Sequence, residues 1–275
     1  MCDHVGRLAA SLQALDDGLV LVTTGAGVSA ASGIATFRGA EPEAVWRVND
    51  VEMATLEFFR KDPVAQWSWY LARFERVETA SPNPAHAALA ALEEWQLARG
   101  GDFQMVTQNI DTLHEAAGSR RLIKIHGTSD RVRCSRLGCP LGAPSGSIER
   151  ERLEISAFRY EPGPKTLPRC PTCRAPLRAH VLFFDEFYQD HEDYRFEEAL
   201  EFARRARLFL FVGTSFSVGI TDMFLRIAAE NGAPTFSVDP GIAPPGEYPI
   251  VHLSAAAEAL LPRVADLVRA GEAVS

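Results

Sequence analysis

Apolar runs of strand length punctuate the chain at Leu19 to Thr23, Phe103 to Thr107, Leu208 to Val212 and Pro234 to Val238. Each is short and rich in β-branched or aromatic residues, with little of the polar alternation that marks a strand exposed on one face. They are expected to be buried parallel strands. Between them the periodicity becomes helical: Pro84 to Arg99 brings Ala87, Leu89, Ala91, Leu92 and Trp95 into one stretch, and Phe196 to Ala206 precedes the third run. Strands alternating with helices predict an α/β fold, a Rossmann-like doubly wound parallel sheet with its ligand at the carboxyl ends of the strands.

Two stretches break the alternation. Residues 40–81 hold Trp46, Phe58, Phe59, Trp67, Trp69, Tyr70 and Phe74, enough aromatic surface for a small helical module. Residues 131–180 are rich in proline, show little periodicity, and contain Cys134-x4-Cys139 and Cys170-x2-Cys173. Four thiolates in two close pairs suit one tetrahedral structural zinc with no open position, and metal binding would there replace a missing core. A metal-free cysteine loop is the alternative, as is a zinc ribbon on nucleic acid, for which Arg131, Arg133 and Arg136 are too few. The expected organisation is a Rossmann-like unit from residues 1–39, 82–130 and 181–275, a helical module over 40–81 and a zinc-binding module over 131–180.

Charge narrows the partners. With 28 Lys and Arg against 36 Asp and Glu, the formal charge of -8 repels nucleic acid. No run approaches the roughly 18 apolar residues of a membrane span, and the first residues lack a basic start followed by an apolar core. Cysteines grouped for metal fit a reducing compartment, so a cytoplasmic protein is expected. The oligomeric state is left open, a monomer included.

The first run leads into Gly25-Ala-Gly27, a turn without β-carbons followed by small residues suited to a helix start. Such a turn lets a pyrophosphate approach backbone N–H groups closely. Gly33 falls too late for the G-x-G-x-x-G spacing of dehydrogenases.

The full string Gly25-Ala-Gly-Val-Ser-Ala-Ala-Ser-Gly-Ile-Ala-Thr-Phe-Arg-Gly39 resembles the first signature of the sirtuin (Sir2-like) family. Thr107-Gln-Asn-Ile-Asp-Thr-Leu-His114, Ile125-His-Gly127 and Val212-Gly-Thr-Ser215 resemble three further signatures in the right order. The resemblance implies a protein deacylase that consumes NAD. Gly25, Ala26, Gly27 and Ser29 would line the phosphate and ribose region, and Phe37 and Arg38 would belong to a cofactor loop. Gln108, Asn109 and Asp111 would meet nicotinamide and ribose, while Gly213, Thr214, Ser215, Asp239 and Ala257 would line the adenosine side. His126 would be the catalytic base, since imidazole titrates near neutrality and can take a hydroxyl proton. His86 and His114 also match recurring positions and read as packing or hydrogen-bonding residues.

The reaction implied joins the acyl oxygen of an acylated lysine to the nicotinamide ribose, expels nicotinamide, and yields free lysine and O-acyl-ADP-ribose. Acylated lysine-containing proteins or peptides are the implied partners. An NAD glycohydrolase or ADP-ribosyltransferase on the same fold is the alternative. Tyr70 and Arg73, three apart, would share a helical face and can grip a carboxylate, as the desuccinylase-like branch does with succinyl- or malonyl-lysine. Asp185 stands where the family carries Gly; its carboxylate would either disfavour acidic acyl groups or select a positive residue on the peptide.

Overall fold

The computed structural model describes residues 2–35 and 48–272. The chain opens with helix α1 (Cys2–Gln13), strand β1 (Leu19–Thr24) and a 3-10 turn (Ala26–Ser32). Helices α2 (Val48–Met53), α3 (Leu56–Lys61), α4 (Pro63–Glu78) and α5 (Pro84–Ala98) lead to β2 (Asp102–Thr107), the short α6 (Leu113–Ala116), β3 (Leu122–Lys124) and β4 (Gly127–Cys134). After β5 (Ile148–Glu149), α7 (Ser156–Tyr160) and β6 (Leu177–Val181), the chain alternates again: α8 (Phe196–Arg205), β7 (Leu208–Val212), α9 (Gly219–Asn231), β8 (Thr235–Val238), β9 (Ile250–Leu253), α10 (Ala257–Glu272).

Six strands form one parallel sheet in the order β3-β2-β1-β7-β8-β9. Its two faces bury alternate residues. Val20, Val22, Phe103, Met105, Leu210 and Phe236 face α1, α5 and α10, where they meet Leu8, Leu89, Trp95 and Leu261. Leu19, Leu21, Val106, Phe209 and Phe211 face the opposite way, onto Ala199, Ala203, Phe224 and Leu225 of α8 and α9. All six side chains of β1 are buried, which explains its unbroken apolar reading. The expected strands and the doubly wound arrangement are present. The short β9, with only four residues, was not foreseen.

Helix starts follow local chemistry. Asn83 caps α5 through Ala85 N–H while His86 reaches back to the Asn83 backbone, with Pro84 at the first helical position. Asp62 caps α4 in the same manner, ahead of Pro63.

The second sheet is antiparallel, in the order β5-β4-β6. Onto it pack Phe59, Trp67, Tyr70 and Phe74 of α3 and α4, in one buried cluster with Val132, Phe158, Leu177 and Phe183. The aromatic stretch therefore shares its core with the cysteine-bearing sheet. None of the helices among the described residues is long and apolar enough to cross a membrane.

Candidate active site

The large sheet reverses its strand order between β1 and β7, and a crevice at the carboxyl ends of two such strands is where ligands bind in open α/β sheets. Gly25 follows β1 and Gly213 follows β7. Gly25 N–H donates to the Val212 carbonyl at 3.0 Å, and Gly27 N–H to the Gly213 carbonyl at 2.9 Å. A β-carbon on Gly27 would stand 2.7 Å from Gly213 Cα, and one on Gly25 2.7 Å from Gly213 O. The glycines are thus required first by the crossing of two backbones. Gly213 has φ +59°, a left-handed conformation that disfavours any side chain. The helix expected after the turn is a seven-residue 3-10 segment that ends at Gly33, which accounts for that glycine's late position.

Behind this turn lies a buried polar cluster. Ser29 Oγ donates to Asp111 Oδ2 at 2.9 Å and accepts from Asn109 Nδ2 at 3.0 Å. Ser29, Asn109 and Asp111 are all buried. Thr24 Oγ1 donates to Thr107 Oγ1 at 2.8 Å and lies 3.0 Å from His114 Nε2, while Thr107 Oγ1 accepts the Asn109 N–H. Lys124 Nζ donates to the Asp111 carbonyl at 2.6 Å and pairs with Glu115 at 2.9 Å. Thr24 and Lys124 were not singled out from sequence, because a threonine at a strand end and a lone lysine carry no motif. The rings of His86 and His114 lie 4.8 Å apart within the cluster, tilted by 58°, and burial holds the His114 imidazole down at about 3.

His126 stands between β3 and β4, half-buried. Its Nδ1 lies 2.9 Å from the Gln108 carbonyl, which can only accept, so Nδ1 carries the proton and Nε2 the lone pair. Tyr188 stacks on the ring at 5.9 Å with its hydroxyl 3.5 Å from Nε2. Burial lowers the imidazole to about 4, against the opposing bond to Gln108, and leaves it neutral at pH 7. The next residue is glycine for a local reason: Gly127 has φ +79°, and a β-carbon there would meet the His180 carbonyl at 2.2 Å.

Gln108 Nε2 donates to Thr214 Oγ1 at 3.1 Å, joining the β2 and β7 loops across the crevice. Ser215 accepts from Ser217 at 3.0 Å. Asp239 follows β8, and its Oδ1 takes the N–H groups of Gly241 and Ile242 at 2.8 and 2.6 Å, shaping its own loop. Ala257 is buried at the start of α10. Phe37 and Arg38 lie outside the described residues.

On the small sheet, Cys134 and Cys173 Sγ are 3.4 Å apart, Cys139 and Cys170 Sγ 3.7 Å, and all four sulfurs lie within 4.8 Å of one another. Zinc–sulfur bonds of about 2.3 Å place tetrahedral ligands about 3.8 Å apart, so the set fits one structural zinc. Burial pushes the Cys134 thiol up; at Cys170 burial is outweighed by the N–H groups of Cys173 and Thr172, which bring it to about 7. Only a cation between them allows all four to ionise together.

Tyr70 is buried on α4, stacked against Phe183 at 5.8 Å, and Arg73 lays its guanidinium over Trp69 at 3.5 Å from the ring centre. Asp185, two residues beyond Phe183, turns its carboxylate to α3: Oδ1 accepts Leu56 N–H at 2.6 Å and Oδ2 accepts Glu57 N–H at 3.0 Å. It is a remote helix cap, and neither role expected from the sequence uses it in this position. Glu186 accepts from Arg178 at 2.6 and 2.8 Å and from Arg133 at 3.2 Å, all three buried. Arg133 therefore contributes nothing to a basic surface.

Comparison with known proteins follows the same residues. The model of the Sir2 family matches residues 25–219. An NAD-dependent protein deacylase of Thermus thermophilus is 39% identical over 236 residues, covering 86% of this chain and 84% of that protein. Among solved structures, a Sir2 homologue variant in complex with ADP-ribose superposes with a TM-score of 0.82 at 31% identity, covering 98% of both chains. A Sir2 homologue in complex with NAD gives 0.79 at 31% identity, covering 98% of this chain and 95% of the other.

Proposed function

The chain belongs to the Sir2 family and is an NAD-dependent protein deacylase, and we propose that His126 is its general base at the β1/β7 crevice. The carrying observation is the tautomer: the Gln108 carbonyl holds the Nδ1 proton, which leaves the Nε2 lone pair of a neutral imidazole available. When bound, NAD supplies the nicotinamide ribose that receives the acyl group from lysine. His126 accepts a ribose hydroxyl proton, and its stack on Tyr188 keeps the ring's plane fixed. Asn109, Asp111 and Ser29 present an amide, a carboxylate and a hydroxyl already ordered by one another, which suits a carboxamide and sugar hydroxyls. Gly25, Ala26, Gly27, Gly213, Thr214, Ser215, Asp239 and Ala257 bound the phosphate and adenosine side, and Phe37 and Arg38 the cofactor loop. Cysteines kept for metal rather than for disulfides support a cytoplasmic location.

For the acyl group the reading is succinyl or malonyl, recognised by Tyr70 and Arg73. Both lie on α4: Tyr70 stacks on Phe183, Arg73 lies over Trp69, and Arg73 is close enough to act on the Tyr70 hydroxyl electrostatically. A guanidinium and a phenol three residues apart on one helix suit a carboxylate better than a methyl group. A panel of acetyl-, malonyl- and succinyl-lysine peptides assayed with NAD tests this. Arg73→Met should cut the succinyl-to-acetyl ratio of kcat/KM by about tenfold or more, because a polar site loses heavily when its charged partner is removed. An unchanged ratio removes Arg73 from acyl recognition, and nicotinamide release from NAD alone at the rate seen with peptide would favour a glycohydrolase.

A further inference from the structure

A second cluster of ligand-type side chains lies at the end of β6 away from the thiols. His180 and His191 are 1% and 2% exposed, whereas Asp193 keeps 44% of its side chain in solvent. His180 Nε2 is 3.2 Å from Asp193 Oδ2, and His191 Nδ1 is 3.8 Å from the same oxygen. One ligand atom from each of the three falls within 4.8 Å of the others. Nitrogen and oxygen ligands at about 2.0–2.2 Å from a tetrahedral ion stand roughly 3.3–3.6 Å apart, which the observed spacings bracket.

Two further features bear on what this cluster holds. His191 Nε2 lies 3.1 Å from the Gly146 carbonyl, which fixes the proton there and leaves the Nδ1 lone pair facing Asp193. A carbonyl on the far nitrogen is the usual orienting partner of a metal-bound imidazole. At present that lone pair accepts the Asp193 N–H at 3.2 Å. His180 turns Nε2 to the same carboxylate, while its far nitrogen, Nδ1, is buried without a hydrogen-bond partner, so this ring lacks the orienting carbonyl that His191 has. The neighbouring guanidinium of Arg133 donates to the Tyr194 hydroxyl at 2.7 Å and shares the single carboxylate of Glu186 with Arg178, so one positive charge of that trio remains beside the cluster, where the Asp193 carboxylate opposes it; Ser147 Oγ donates to Asp193 Oδ2 at 3.3 Å.

We propose that His180, His191 and Asp193 form a second metal site, for a divalent transition ion of the zinc class. Two imidazoles and one carboxylate favour zinc, nickel or copper over magnesium or calcium, and the exposed edge at Asp193 leaves room for water as a further ligand. The site is separate from the thiolates: Leu177, paired with Cys134, precedes His180 by about 10 Å of strand. Its position gives it a mechanical role. Leu182 N–H donates to the His126 carbonyl at 2.9 Å, and Tyr188 stacks on the His126 ring. An ion held by His180 on one side and by His191 and Asp193 on the other would tie together the two ends of the segment that carries both contacts.

Equilibrium dialysis of the intact protein against Zn2+, followed by elemental analysis, should find two equivalents per chain, and one in Asp193→Asn and in His191→Asn. With Co2+, the second equivalent should add visible absorption without increasing the thiolate-to-cobalt charge-transfer band, and Asp193→Asn should lack that addition. Asp193 lies at the surface, so this variant retains the fold, which circular dichroism checks. A stoichiometry of one in wild type, or a second equivalent kept by Asp193→Asn at the same affinity, overturns the proposal and leaves the three residues as a hydrogen-bonded cluster.

Discussion

Along the six-stranded sheet, residues of the strands sink into one of two apolar clusters, and polar groups gather chiefly where the strands end, with Gln104 a buried exception inside β2. The three-stranded sheet has a single apolar cluster, shared with α3 and α4, and it buries charge within its own layer: Arg133, Arg178 and Glu186. The residues proposed for catalysis and cofactor binding on the first sheet are thus placed by strands that would stand without them. Residues on the second sheet are held by ion pairs, thiols and contacts between distant segments. The first region fixes geometry through apolar packing, and the second through specific polar partners, so the two should fail differently.

The largest difference should appear on removing a zinc ligand. Cys170→Ser should reduce zinc well below one equivalent at the thiolate site and abolish cooperative unfolding of the small sheet, since structural zinc sites contribute about 10 kcal/mol or more of folding energy. Limited proteolysis should then cut near residues 134–177 while the parallel sheet persists. Full zinc occupancy in that variant would show that another ligand set holds the ion.

His126→Ala probes the opposite case. Turnover should fall by about 10²–10⁴-fold, the usual loss for a general base, with the melting temperature nearly unchanged. Retained turnover would remove His126 from the proton transfer.

A smaller effect separates the two regions by pH. The folded His126 binds its proton only near pH 4, below the ordinary value near 6.5, so the unfolded chain takes up protons first as the solution is acidified. The stabilising contribution present above pH 6.5 is lost as pH falls. At pH 5 this costs the wild type about 2 kcal/mol that His126→Ala does not lose. Urea denaturation at pH 7 and pH 5 should show the two proteins, nearly equal in stability at pH 7, diverging at pH 5 as the wild type loses more; parallel loss would assign the acid sensitivity elsewhere, with His114 the next buried imidazole to examine.

Smallest is the clamp at Asp185. Asp185→Ala should lower stability by about 1 kcal/mol by leaving two N–H groups of α3 without their acceptor. It should not move the succinyl-to-acetyl ratio, because the carboxylate faces the helix. A changed ratio would return Asp185 to the acyl channel.

The same division explains what the sequence discloses. β1, β2, β7 and β8 are readable because burial on both faces leaves a continuous apolar run, and the crevice follows from where those runs end. Ser29, Asn109 and Asp111 are readable through motifs that hold their mutual spacing. Lys124 and Thr24, which position them, bring no pattern of their own. Asp185 could not be placed at all from sequence, since its partners Leu56 and Glu57 lie more than 120 positions away and offer only backbone N–H groups. The four cysteines were visible as a set because thiolate chemistry is rare, whereas His180, His191 and Asp193 are spaced like any surface-loop residues.

The contact between Gly27 and Gly213 also limits how the proposed cofactor site can be redesigned. Each glycine occupies space that a methyl group on the other would need, and neither can be enlarged while its counterpart stays where it is. A library that randomises either loop alone will therefore return glycine at these positions whatever nucleotide is selected for. Variation aimed at a different cofactor must instead work from Ala26, Ser215 or the loop behind Asp239, where side chains border the crevice without wedging its backbones apart.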